Sequence, residues 1–359
     1  MPKSKRGNRT AAFAAAALWI VGIPAAAEAL RADLAACPYK LIFESYRDGN
    51  WDLMLMDADG SNVVNVTRTP SVDELYPHAS PDGKRVVFVA EEGEGDKRTR
   101  NVYYMDIEGD RRVQVGKNGR QPFWAPDGQR IGCIEGAWVN YNEGGGANKA
   151  LRFYDLETGE HRRHPKDDTA GLLNPCWSTC GNWIVSSVMG GMGFRHSIVA
   201  LEVHGDRVLE LMRSRSGPDD LFQCRPDLSP DGRRVAWGTG NSHNQTPMWV
   251  ETADIDLAAA EPRVTNRRKF AEVPYPQQVY HVDWSPDGKY IAYSRGPLGT
   301  RMQPAGYVVG TKAKGWDVWV VRAGPPHEVL QLTHDGLSNK EPDWIRVEAQ
   351  VRREAGKGK

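Results

Sequence analysis

Ser80-Pro81-Asp82-Gly83 is the first of a set of tetrapeptides that share one turn chemistry. Proline presets one backbone φ angle, aspartate accepts hydrogen bonds from the amides that follow it, and glycine tolerates positive φ, so each tetrapeptide predicts a tight turn between strands. The glycines of successive copies are 45, 53, 51 and 56 residues apart. The later copies, of which the second is degenerate, are Ala125-Pro126-Asp127-Gly128, Ser178-Thr179-Cys180-Gly181, Ser229-Pro230-Asp231-Gly232 and Ser285-Pro286-Asp287-Gly288.

The residues around each turn repeat as well. A short segment with a proline and, two residues later, often a tryptophan precedes the turn, as in Pro122 and Trp124. An alternating apolar strand such as 86–89 follows the turn, and two further strand-like segments complete the unit. Repeated four-stranded units of this length are typical of a β-propeller. Proline fits the first strand of each unit, because the innermost strand of a blade is an edge strand.

The two ends of the chain supply the halves of one more unit. Residues 341–344, Glu-Pro-Asp-Trp, form an inner-strand pattern with no turn after it, and residues 40–45 form a second-strand pattern with no inner strand before it. Joining them completes a sixth blade and leaves the ring without an open edge. The sequence therefore predicts an all-β fold over residues 39–347: a six-bladed β-propeller of four-stranded antiparallel blades, closed by the N- and C-terminal strands in one blade.

The repeats resemble those of the TolB-type six-bladed propeller family. The resemblance rests on residues 41–50, on the turn at 56–60 and on the repeated Ser-Pro-Asp-Gly, and it covers roughly residues 39–347. TolB carries an α/β domain before its propeller, whereas here the propeller pattern starts about a dozen residues after a predicted cleavage site. The resemblance therefore implies the propeller fold, and we do not extend the partners of TolB to this chain.

The first residues have the features of a secretory signal. Lys3, Lys5, Arg6 and Arg9 precede an apolar run over 11–23, and small residues follow at 25–27. We predict a signal peptide at 1–27, an N-terminal linker at 28–38, the propeller, a basic disordered tail at 348–359, and a periplasmic or secreted location. An uncleaved membrane anchor and a lipoprotein signal ending at Cys37 are alternatives that the composition of this segment disfavours.

Composition narrows the class of function. The 359 residues hold 46 Lys+Arg and 46 Asp+Glu, with 40% hydrophobic and 26% charged residues, which excludes wholesale disorder and disfavours nucleic acid as a partner. Residues 1–27 carry four of the positive and none of the negative charges, so the mature chain would have a net charge of −4. We expect a monomer without a transmembrane span that binds an envelope protein or a polysaccharide. Motifs of hydrolases, zinc proteases and nucleotide-binding enzymes are missing from the sequence, which favours a binding role over an enzymatic one.

The longest insertions fall on one side of the predicted ring. The connections between second and third strands and between blades share this side, which we call the loop face; the tight turns share the other, which we call the turn face. Aromatic, arginine and histidine side chains on the loop face suit a saccharide or a peptide, although plain solvated loops would look the same. A propeller-type polysaccharide lyase or glycosidase is the alternative function, and His196, His243, Arg295 and Tyr307 would supply its groups. The predicted ligand-binding residues are Trp138, Tyr141, Arg195, His196, His243, Arg295, Arg301 and Tyr307.

The axis of the ring is the second candidate site. Asp227, Asp283 and Asp343 occupy equivalent inner-strand positions in consecutive blades, so their carboxylates could hold Ca²⁺ or Mg²⁺, although no cofactor is required by the sequence. The competing interpretation is that each aspartate bonds backbone amides inside its own blade. Among the five cysteines, Cys176 and Cys180 flank a tight turn and could form a bridge.

Overall fold

A computed structural model describes residues 25–94, 97–136, 148–213, 222–240, 247–259, 261–297 and 314–347. These residues form one helix and 24 strands, and the strands make six separate four-stranded antiparallel sheets. The sheets are the blades of a six-bladed β-propeller, as the repeats predict. Both chain ends meet in one sheet, because the last strand pairs with the first from Tyr39 opposite Arg346 to Tyr46 opposite Ser338.

Each blade is a meander that runs from an inner to an outer strand. Blade 1 consists of β24 (Ser338–Arg346), β1 (Tyr39–Arg47), β2 (Asn50–Asp57) and β3 (Val64–Asn65), and blade 2 of β4 (Asp73–Ala79), β5 (Arg85–Glu92), β6 (Thr99–Asp106) and β7 (Val113–Lys117). Blade 3 consists of β8 (Gly119–Trp124), β9 (Arg130–Glu135), β10 (Ala150–Asp155) and β11 (His161–Arg163), and blade 4 of β12 (Leu172–Trp177), β13 (Trp183–Gly191), β14 (Phe194–Glu202) and β15 (Val208–Arg213). Blade 5 consists of β16 (Phe222–Leu228), β17 (Arg234–Gly240), β18 (Met248–Asp256) and β19 (Arg263–Val273), and blade 6 of β20 (Gln277–Trp284), β21 (Tyr290–Pro297), β22 (Asp317–Arg322) and β23 (Val329–Gln331).

All six inner strands carry a bulge at the same place. The pairing register of each inner strand with its neighbour shifts there, and one residue that is not glycine adopts a positive φ between 44° and 59°. A bulge of this kind bends the strand and redirects a side chain. The six bulge residues are Tyr76, Gln121, Asn174, Arg225, His281 and Glu341.

The repeated tryptophans join neighbouring blades on the turn face. An arginine that begins the second strand of one blade lies over the inner-strand tryptophan of the next blade, a cation–π contact worth about 0.5–1 kcal/mol at a partly exposed site. The pairs are Arg85 over Trp124 at 5.0 Å, Arg130 over Trp177 at 5.0 Å and Arg234 over Trp284 at 4.4 Å, from guanidinium carbon to ring centroid. The repeat therefore encodes the joints between blades as well as the turns.

A helix, α1 (Ala25–Ala35), covers the joint between blades 6 and 1. Leu30 and Leu34 lie one helical turn apart, are fully buried, and pack against apolar residues of both blades. Arg31 donates to the carbonyl oxygens of Asp59 at 2.5 Å and Gln331 at 3.3 Å, which places α1 on the turn-face side. Most of the segment predicted as a linker over 28–38 is thus a packed helix. No helix in the described ranges is long and apolar enough to cross a membrane.

Candidate functional site

The inner strands surround a narrow axial cavity. Its volume is about 40 Å³, which is enough for a few water molecules. All six bulge residues lie on its wall, so the bulges bring a tyrosine, two amides, an arginine, a histidine and a glutamate to one place. Backbone strain repeated at one location is a reason to look for function there.

The three axial aspartates bind backbone amides of the neighbouring blade. Asp227 Oδ2 accepts a hydrogen bond from Trp284 N at 2.8 Å, and Asp283 Oδ2 accepts one from Trp344 N at 2.7 Å. Asp343 Oδ1 accepts one from the amide of the next inner strand, in blade 2, at 2.9 Å. The interpretation that each aspartate bonds inside its own blade is therefore wrong about the partner, since these bonds join one blade to the next.

The three axial aspartates are positioned to accept these hydrogen bonds between blades. Within the described ranges no three histidine, cysteine, aspartate or glutamate side chains are placed to hold a metal ion together. Burial raises the pKa of Asp227 to about 6 and that of Asp283 well above its usual range, and the neighbouring carboxylates raise the pKa of Asp283 further.

A second set of ionisable residues consists of three bulge residues and two residues next to them, and it is called the axial cluster here. Its members are Glu44, Arg225, His281, Lys340 and Glu341. Arg225 Nη1 lies 3.1 Å from Glu341 Oε1, and His281 Nδ1 lies 3.0 Å from Glu341 Oε2. Burial alone would raise the pKa of Glu341, but the charges of His281 and Arg225 outweigh it and hold the pKa below its usual value. The Glu341 carboxylate is thus a buried anion held between the Arg225 guanidinium and the His281 ring.

The other half of the axial cluster is a buried lysine–glutamate pair. The Lys340 side chain is 1% exposed, and its Nζ lies 5.4 Å from the centroid of the Trp51 ring and 4.8 Å from that of Trp316. Glu44 Oε2 accepts a hydrogen bond from the bulge amide of Tyr76 at 3.0 Å, while its Oε1 has no hydrogen-bond partner. Burial raises the pKa of Glu44 to about 8 and lowers that of Lys340 to about 8. The axial cluster therefore links blades 1, 2, 5 and 6 through groups that are poorly solvated.

These pKa values predict how stability depends on pH. Asp227 (pKa about 6) and Glu44 (pKa about 8) bind protons more tightly in the folded chain than in the unfolded chain, where both titrate near pH 4. Their contribution is complete below pH 4 and is lost as the pH rises through 6 and 8, so we expect the free energy of unfolding to fall by about 1–3 kcal/mol between pH 5 and pH 8. Urea unfolding at the two pH values measures this difference. Glu44→Gln should reduce it, and a free energy of unfolding that rises over this range would contradict the assignment.

The structure places three of the predicted ligand-binding residues. Arg195 is exposed at the loop-face end of β14. The His196 Nε2 atom lies 3.2 Å from Cys224 Sγ of the next blade. Arg295 Nε donates to Gln277 Oε1 at 2.5 Å, and the guanidinium lies 4.4 Å from the Trp319 ring centroid. The remaining predicted residues lie outside the described ranges: Trp138, Tyr141, His243, Arg301 and Tyr307.

Sequence reasoning missed most of the axial cluster. Arg225 and Glu341 directly precede the inner-strand prolines Pro226 and Pro342, and His281 holds the matching position in blade 6, so the repeat alignment contains a signal for them. Lys340 and Glu44 have no such signal, because a charged residue in a strand is expected on a solvated face. The five cysteines are all free, and the possible bridge from Cys176 to Cys180 is not formed.

Comparisons with known proteins agree with this architecture. No family model matches the chain. A protein TolB homologue of Chlorobaculum tepidum is 32% identical over 89 residues, which is 24% of this chain and 19% of that protein, so the chain is similar to a small part of its relative. In solved structures, a nidogen/laminin complex has a TM-score of 0.55 at 10% identity, covering 86% of this chain and 98% of that one. An oligogalacturonate lyase in complex with manganese has a TM-score of 0.50 at 15% identity, and the match covers 79% of this chain and 71% of that one.

The ring and its axial site define the chain as a six-bladed β-propeller with a charged axis. The local similarity to the TolB homologue, together with the six blades, supports the resemblance of the repeats to TolB-type propellers. The structural likenesses have low sequence identity and concern the fold alone.

Proposed function

We propose that this chain is an exported binding module of the bacterial periplasm or cell envelope, which holds a protein ligand at the loop-face end of its axis. The observation that carries the proposal is the convergence of Arg225, His281 and Glu341 from three blades on one solvent-reaching cavity. Charged groups fixed on rigid strands provide a preorganised surface for a polar partner. Export is the expectation from the N-terminal signal pattern.

The size and charge of the axis favour a protein over a glycan. A cavity of about 40 Å³ admits the tip of one side chain but no sugar ring. The wall carries groups of both signs, with Asp227, Asp283 and Glu341 opposed by His78, Arg225 and His281. We therefore expect the ligand to present a polar side chain or a chain terminus, which can pair with groups of either sign, to the axis and to spread over the loop face.

The position of α1 supports the same choice of face. Its contacts with Asp59 and with Arg322, whose Nη2 lies 2.6 Å from Asp33 Oδ2, hold the N-terminal segment on the turn-face side. The loop face is then on the opposite side of the ring from α1. A partner can approach the axis there without meeting α1.

Site-specific photo-crosslinking in the native envelope tests the proposal. A benzophenone amino acid at Arg195, exposed on the loop face, should give a discrete crosslinked protein, and the same group at Glu157, exposed on the turn face, should not. Arg225→Gln should remove the Arg195 crosslink while circular dichroism shows an intact fold. Equal crosslinking from both faces, or no effect of Arg225→Gln, would contradict the assigned site.

An enzymatic outcome would also overturn the proposal. The purified chain should leave a uronic-acid polymer unchanged. A new ultraviolet absorbance from an unsaturated product, abolished by Arg225→Gln, would show that the axial residues act in catalysis and that the lyase alternative is correct.

A further inference from the structure

A larger cavity lies on the turn face, between blades 4 and 5. Its volume is about 540 Å³, within the range of small-molecule sites. The turns of blade 4 supply Cys180, Trp183 and Arg207 to its wall, and blade 5 supplies Leu257 and Ala258. We call it the blade 4–5 cavity; it is on the opposite side of the ring from the proposed loop-face site.

The blade 4–5 cavity coincides with a departure from the repeat. Trp183 stands where Arg85, Arg130 and Arg234 begin the second strands of other blades. Leu228 stands where the next blade would supply the tryptophan, and it packs in the same apolar cluster as Trp183. The arginine–tryptophan pair that joins blades 2 and 3, 3 and 4, and 5 and 6 is therefore absent from this joint.

The adjacent turn of blade 4, at residues 178–181, also differs in charge from the other copies of the turn. In the four regular turns the aspartate Oδ1 accepts a hydrogen bond from the amide two residues later, at 2.9 to 3.1 Å. Cys180 replaces this aspartate in blade 4, so the turn presents an exposed thiol in place of a carboxylate. The Arg207 guanidinium carbon lies 5.6 Å from the centroid of the Trp183 ring. The turn therefore lacks the carboxylate of the other copies, and it lies on the wall that also carries the Arg207 guanidinium and the Trp183 indole.

The one carboxylate on the wall is packed against its own turn. A Cβ atom on Gly205 would lie 2.3 Å from Glu202 Oε2, so the glycine leaves space that the Glu202 side chain occupies. His204 adds an imidazole to the same turn. The wall therefore combines an arginine, a histidine and an indole from blade 4 with the apolar residues Leu257 and Ala258 from blade 5.

We propose that the blade 4–5 cavity binds a small organic anion, a carboxylate attached to an aromatic group. The carboxylate would lie against Arg207, and the aromatic group would cover the accessible edge of Trp183 and the exposed Ala258. A charge-assisted hydrogen bond to the guanidinium and burial of the ring supply the binding energy. This site is independent of the loop-face site, so either can be correct without the other.

Protection of Cys180 from alkylation tests the proposal with phenylacetate as the probe. The full chain is treated with iodoacetamide over a phenylacetate titration, and the modified cysteine is identified by peptide mass spectrometry, which separates Cys180 from the other four cysteines. We expect saturable protection of Cys180. Arg207→Gln should raise the half-protecting concentration about tenfold, as loss of one charged hydrogen bond implies.

Two variants make the result specific. Ala258→Glu places a carboxylate on the exposed rim and should abolish protection, while Arg263→Gln, at an arginine 74% exposed on the outer strand of blade 5, should leave the titration unchanged. Absence of protection in the unmodified chain would overturn the proposal. A linear, unsaturable decrease in alkylation, or equal behaviour of Arg207→Gln and the unmodified chain, would overturn it too.

Discussion

Deletion of residues 41–45 is expected to abolish the cooperative folding of the whole propeller. These residues form the centre of β1, which pairs with β24 on one side and β2 on the other, and Leu41, Ile42 and Phe43 are fully buried. Without β1, the closing blade loses both pairings and the ring gains two open edges. The far-ultraviolet circular dichroism of the deletion variant should show no cooperative thermal transition.

Graded variants keep this prediction testable even when the deletion variant fails to express. Phe43→Ala should lower the free energy of unfolding by about 3–5 kcal/mol, the cost of truncating a fully buried phenylalanine. Removal of residues 349–359, which follow the closing strand, is the matched control and should leave the melting temperature unchanged. A deletion of 41–45 that melts like the unmodified chain would show that the ring is not closed by this strand.

Replacement of Glu341 by leucine is expected to be the most damaging single change at the axis. The Glu341 carboxylate is 2% exposed and lies 3.1 Å from Arg225 Nη1 and 3.0 Å from His281 Nδ1. Its removal leaves both of these buried groups without their acidic partner. Removing one partner from a buried ion pair costs about 3–5 kcal/mol because the other charge stays buried and uncompensated. Urea unfolding should report a loss of this size.

An exposed ion pair in the same chain provides the matched control. Glu261 Oε2 lies 3.5 Å from Arg263 Nη2, and both side chains are about three-quarters exposed. Glu261→Leu should therefore lower the free energy of unfolding by less than about 1 kcal/mol. Adding Arg225→Met to Glu341→Leu should recover part of the lost stability, because the unpaired cation is then removed. Equal losses for Glu341→Leu and Glu261→Leu would show that the axial cluster does not act as a buried ionic unit.

The blade count and the closure could be predicted because their signals are local. Pro81-Asp82-Gly83 and its copies encode turns through backbone preferences, and the incomplete units at the two chain ends identify the shared blade. The direction of the aspartate bonds could not be predicted in the same way. Asp227 and Trp284 are 57 residues apart, and their contact depends on how neighbouring blades pack.

The axial cluster and α1 show two further limits of sequence reasoning. Lys340 and Glu44 have the sequence of solvated strand residues, and they are buried because opposite charges and two indole rings surround the lysine. The buried apolar face of α1 consists of only Leu30 and Leu34, too few for a periodic signal in a segment where a signal peptide is predicted to end. Tertiary packing determines both features.

An engineered disulfide between the chain ends is the most direct test of the closed ring. Tyr39 and Arg346 are directly opposite each other in β1 and β24, which brings their Cα atoms within the distance that a disulfide spans. Cysteines at these two positions should form an intramolecular bond, identified by mass spectrometry of a non-reduced digest, while a cysteine at Tyr39 combined with one at Thr265 of blade 5 should not. If the Tyr39–Arg346 pair yielded only intermolecular bonds, the two ends would not share a blade and the account of the propeller would be wrong.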